Sequence, residues 1–175
     1  MEEIFIIDGY NCIHLWPHLN ELKDESLEEA RSRLIEELSD YQASRGVRLI
    51  LVFDAHMQAG PGSHEVYGNM EVIFTAHGET ADRRIERLAR SLVAPDRRIY
   101  VATSDYVEQR VIFGQGALRI SARELYQDVQ QNRQRLRKKM AAVRRRPATL
   151  GQRLSKEVEE QLEQWRRGHE PGETS

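Results

Sequence analysis

The run Ile4-Phe5-Ile6-Ile7, followed at once by Asp8-Gly9-Tyr10-Asn11, constrains this chain more than any other stretch. Four consecutive apolar residues, rich in β-branched side chains, predict a strand buried on both faces, the usual state in a parallel sheet. In open α/β sheets ligands collect outside the carboxyl ends of the strands. Asp8 is therefore delivered to the edge where such folds keep their chemistry, and Gly9 permits the tight turn that follows. One aspartate at a strand end is more often a cap or an Asx-turn. Its weight depends on other acids reaching the same edge.

The rest of the chain supplies them. Ser26-Leu27-Glu28-Glu29 is a capping box that opens an amphipathic helix to about Ser44, closed by Gly46. Val47 to Phe53 reads as a second strand, with Asp54 directly after it. Ala55 to Asn69, which contains Gly60-Pro61-Gly62, reads as a mobile loop; it lacks the Lys-Ser/Thr ending of a P-loop. Met70 to Thr75 is a third strand, and Thr80 caps a helix with Asp82 in its first turn. Ile99 to Thr103 is a fourth strand, running into Ser104-Asp105.

Beyond it the pattern predicts a helix from about Ser104 to Gly114 and a short strand, Ala117 to Ile120. A second capping box, Ser121 to Glu124, opens a helix to about Arg146, before Pro147. A charged helix then falls within residues 147–168, with a flexible tail over 169–175. Strands alternating with helices predict a three-layer α/β domain over residues 1–146 with a mainly parallel sheet, extended by a C-terminal helix.

Asp8, Asp54, Asp82 and Asp105 all fall at the carboxyl edge of such a sheet. Crowded carboxylates repel one another and need a counter-ion. A hard divalent cation, Mg²⁺ or Mn²⁺, suits carboxylate and water oxygens and assists phosphodiester cleavage. Asn11, Thr103 and Ser104 are placed to orient a water or a phosphate oxygen. Each acid alone has a bland role as helix-start or turn residue; their joint arrival is what favours a metal site. Glu79 is a cap residue or an outer ligand.

The charge distribution is lopsided. Residues 119–146 hold ten basic residues and two acids, a net +8 in a chain of net −2, so the remainder carries −10. Arg133, Arg135, Arg137, Lys138, Lys139, Arg144, Arg145 and Arg146 form the basic helix expected to hold an RNA backbone, with affinity but no sequence readout. Tyr10, Tyr106 and Trp16 are candidates for stacking on bases, although packing is the better assignment for Tyr106 and Trp16. His14 and His18 have i, i+4 spacing, but Pro17 intervenes and no Cys/His cluster accompanies them, so packing or surface roles are expected rather than zinc. One cysteine, Cys12, no signal-peptide pattern and no membrane-length apolar run point to a cytoplasmic protein with no membrane role.

Ile7-Asp8-Gly9-Tyr10-Asn11, Val52-Phe53-Asp54, Gly78-Glu79-Thr80-Ala81-Asp82 and Thr103-Ser104-Asp105 together resemble the YacP-like NYN domain, a bacterial branch of the PIN-like nucleases, over roughly residues 1–145. The resemblance implies a PIN-like fold and a metal-dependent endoribonuclease. It further implies a relation to the ribosome-associated enzyme that cleaves mRNA in the ribosomal A site. By position, Asp8, Asp82 and Asp105 match the acids of the family's metal site, Asn11 the asparagine of its first motif, and Asp54 the acid after the second strand.

The expectation is thus an endoribonuclease using Mg²⁺ or Mn²⁺ on single-stranded mRNA at the ribosome. Its rival is a ribosome- or RNA-binding factor that uses the basic helix and cleaves nothing. A phosphatase of small phosphoesters is disfavoured, because Asp8-Gly9-Tyr10 lacks the second aspartate two residues on.

Overall fold

The computed structural model describes residues 1–55, 61–103, 116–145 and 150–168, with side chains left out at 150–155 and 167–168. Its elements run β1 (Glu2–Asp8), α1 (Gly9–Leu15), α2 (Pro17–Glu25), α3 (Leu27–Arg45), β2 (Arg48–Phe53), β3 (Ser63–Tyr67) and β4 (Met70–Phe74). They continue with α4 (Ala81–Leu92), β5 (Arg97–Ala102), β6 (Leu118–Ile120), α5 (Ala122–Arg145) and α6 (Leu150–Gly168). The helix expected from Ser104, and with it Asp105, Tyr106, Arg146 and the tail over 169–175, lies outside the described residues.

Six strands form one sheet in the order β3-β4-β2-β1-β5-β6, parallel throughout except for β3, which pairs antiparallel with β4. β1 sits in the middle, with Ile6 beside Ile50 of β2 on one side and Val101 of β5 on the other. Its residues alternate between two cores, as the period of a strand requires. Phe5 and Ile7 face Trp16, Leu19, Leu34, Leu38 and Tyr41 of α1–α3, together with Leu125 and Val129 of α5. Ile4 and Ile6 face Ile85 and Ala89 of α4. Burial on both sides explains why β1, β2 and β5 read as continuous apolar runs. This is the expected three-layer PIN-like α/β fold.

Caps mark the helix ends as the sequence suggested. Ser26 Oγ accepts from Glu29 N at 3.2 Å, Ser121 Oγ from Glu124 N at 3.0 Å, and Gly46 takes φ +65° to close α3. The stretch expected as a loop from Ala55 to Asn69 is different in part: Ser63–Tyr67 is β3. All five of its residues are exposed, so it lacks the apolar alternation that betrays a strand. Gly68, at φ +60°, starts the two-residue turn into β4.

Two compact units divide the chain, Met1–Gln134 and Arg135–Ser175, with the division inside α5. Burial explains the position. The last buried residues of α5 are Val129 and Asn132, and nearly every residue after them is exposed. Among the described residues no helix is long and apolar enough to cross a membrane.

Candidate active site at the carboxyl edge of the sheet

Asp8 ends β1 and caps α1, where its carboxylate accepts from Asn11 N at 3.4 Å. The turn between them is tight because α1 starts directly over Phe53. A Cβ on Gly9 would lie 2.3 Å from the Phe53 ring. Only glycine brings the helix this close, and the closeness holds Asp8 beside the end of β2. There Asp54 follows Phe53, and its Oδ2 accepts from Ala81 N at 3.3 Å. That bond ties the end of β2 to the start of α4. Thr80 Oγ1 caps the same helix by accepting from Arg83 N at 3.3 Å, which leaves Asp82 in its first turn.

Asp8 lies close enough to Asp82 and Asp54 to feel their charges. Burial pushes the Asp8 carboxyl up from 3.8 to about 6; the Asn11 amide moderates the shift, and the charges of Asp82 and Asp54 add to it. Asn11 Oδ1 is buried and has no hydrogen-bond partner among the described residues. Among the described residues no three His, Cys, Asp or Glu side chains converge on one point. Asp105, the remaining predicted ligand, is outside them.

This donor set nevertheless fits a hard divalent cation. It offers carboxylate and amide oxygens only, with a half-buried acid whose charge is poorly compensated and an acceptor without a donor. Glu79 is differently employed: it forms ion pairs with Arg84, at 3.3 Å, and with Arg87.

Of the aromatic candidates, Tyr10 and Trp16 are packed. Tyr10 lies 5.1 Å from Phe53, ring centroid to centroid, with its hydroxyl accepting from Arg31. Trp16 is fully buried and donates from Nε1 to Ala122 O at 3.0 Å. His18 pairs with Glu37 at 2.8 Å, and His14 accepts from Lys23 Nζ at 3.0 Å. Burial drives the Cys12 thiol far up, which leaves it inert.

The basic helix divides as well. Arg135, Arg137, Lys138, Lys139, Arg144 and Arg145 are exposed, and among the described residues none has an ion-pair partner. Arg133 differs, because its Nη1 donates to the buried Glu37 at 3.0 Å. Glu37 itself went unnoticed in the sequence. Its signal was a glutamate on the same stripe as Leu34, Leu38 and Tyr41, a position that demands partners.

Comparison with known proteins agrees with this architecture. The YacP-like NYN domain matches residues 5–167. YacP of Bacillus subtilis (strain 168) is 46% identical over 166 residues, covering 95% of this chain and 98% of that protein. The crystal structure of Rae1 (YacP) from Bacillus subtilis superimposes with a TM-score of 0.72 at 46% identity, over 94% of this chain and 95% of that one. A mutant of the same protein gives 0.71 over 89% of each chain. With nearly its whole length matched by sequence and by fold, the chain belongs to the YacP-like NYN domain family, a family of nuclease type.

Proposed function

We propose that this protein is a metal-dependent endoribonuclease acting on single-stranded RNA, with mRNA engaged by the ribosome as its substrate. The observation that carries the reading is Asp8. In a chain of this family, a half-buried carboxyl at the end of the central strand feels the charges of Asp82 and Asp54 from two neighbouring elements.

Asp8, Asp82 and Asp105 would hold Mg²⁺ or Mn²⁺, with Asp54 assisting and also fixing the start of α4 through Ala81 N. When bound, the cation supplies Lewis acidity, lowering the pKa of water and offsetting charge on the leaving oxygen. Asn11 Oδ1, buried and without a donor among the described residues, orients a proton donor carried by water or by the substrate. Arg135, Arg137, Lys138, Lys139, Arg144, Arg145 and Arg146 hold the RNA backbone, of the message or of the ribosome.

The test is cleavage of a translated and an untranslated message by the purified protein, with and without Mn²⁺. Asp8→Asn should abolish cleavage while the fold persists. Full activity of that variant, or activity in excess chelator, refutes the mechanism. Ribosome binding with no cleavage of any RNA selects the non-catalytic binder instead.

A further inference from the structure

A cavity of about 450 Å³ opens at the carboxyl edge on the side of β5 and β6, within the size range of small-ligand sites. Leu15 and Pro17 form one wall, Tyr126 another, Thr103 lies among its lining residues, and Arg119 and Arg123 contribute two cations. Three features make this a built site. Trp16, fully buried between Leu15 and Pro17 in the chain, donates to Ala122 O and so locks the first wall to the start of α5. Tyr126 is backed by the Trp16 ring at 5.5 Å, yet remains half-buried and lines the cavity. Arg119 and Arg123 are exposed and make no ion pair among the described residues. Leu15 is 56% exposed, an apolar side chain at a cationic rim.

Position relates the cavity to the acids. Thr103 follows β5, one strand from β1, and Ser121 follows β6, two strands away, at roughly 5 Å per strand. α1 covers the same span, about 10 Å from Asp8 at its cap to Leu15 at the rim.

We infer that this cavity is a nucleotide subsite: it takes the base of a nucleotide flanking the cleaved bond between Tyr126 and the Leu15–Pro17 wall, with the adjoining phosphate on Arg119 and Arg123. The assignment rests on the reading of the acids as an RNA-cleaving centre. An aromatic face and an aliphatic wall accept any base, and two guanidinium groups without a carboxylate partner among the described residues suit a phosphate. The subsite therefore sets the path of the strand past the acids rather than the sequence cut.

The experiment uses the full chain carrying Asp8→Asn, so that binding is read without cleavage. Its probe is a short single-stranded oligoribonucleotide bearing one photoactivatable 4-thiouridine. Cross-links are expected at Tyr126 or in the peptide holding Leu15 and Pro17. Arg119→Gln/Arg123→Gln should weaken binding about tenfold at low salt and flatten the salt slope by about 1.4. Lys138→Gln/Lys139→Gln should leave the cross-link position unchanged. Cross-links only elsewhere, or unchanged affinity in the arginine variant, overturn the subsite. Equal affinity for an acidic peptide of matching charge overturns its assignment to a nucleotide. If the wild-type chain cleaves nothing with Mn²⁺ while the cross-link forms as expected, the cavity is a nucleotide-binding site of an RNA binder, and its place beside a cleaved bond falls with the nuclease reading.

Discussion

Asp8 is kept in an unfavourable state by its surroundings, and the sign of the effect can be worked out. Its folded pKa of about 6 exceeds the ordinary 3.8, so the folded chain holds this proton more tightly than the unfolded one. The cost of ionising Asp8 is absent below about pH 4, grows as pH rises, and is complete above about pH 6. A shift of about 2 units corresponds to about 3 kcal/mol. Asp8→Asn should therefore stabilise the metal-free protein by up to about 3 kcal/mol at pH 8 and give no gain near pH 4. Thermal midpoints of both proteins across that range provide the check, and a variant that is less stable at pH 8 would contradict the burial. The aspartate was legible in the sequence because strand and acid adjoin. Its perturbation was not, since it arises from burial and from the charges of Asp82 and Asp54, which reach it only through the fold.

Among the elements, β1, β2 and β5 were legible because both faces are buried, and α3 because a cap, a stripe and a terminal glycine agree. β3 was not, because its pairing with β4 involves backbone groups that leave no mark on side-chain pattern. α5 shows the opposite failure. A run of basic residues read as one surface splits at Arg133, which lies one turn beyond Val129 and so on the side turned toward α3. Tyr41 donates to Asp128 and Ser44 to Asn132, so with the Arg133–Glu37 pair polar links join α3 to α5 at three points. Glu37 holds both His18 and Arg133 with its side chain only 4% exposed. Glu37→Ala should cost roughly 1–3 kcal/mol in urea denaturation, because it removes the charge-assisted hydrogen bonds that His18 and Arg133 make to it. A loss below about 0.5 kcal/mol would show the link to be incidental.

For the whole molecule, the separation of charge is the property with most reach. Asp8, Asp54 and Asp82 lie in the unit Met1–Gln134, while six exposed cations of α5, without ion-pair partners among the described residues, belong to Arg135–Ser175. Substituting Arg137, Lys138 and Lys139 together by Gln should lower the slope of log affinity against log salt for single-stranded RNA by about 2, at about 0.7 for each phosphate no longer neutralised. The urea midpoint should stay where it is, whereas Arg133→Ala should shift the midpoint and spare the slope. A different kind of consequence follows from the borders of the sheet. At one border β3 presents a histidine and a glutamate, His64 and Glu65, with His64 paired to Glu71 of β4; at the other β6 is three residues long. The charge on β3 and the shortness of β6 both disfavour pairing with a stranger's extended chain, whereas the exposed Val66 and Tyr67 of β3 favour it. Borders that are charged or short limit the accretion of further strands onto the sheet.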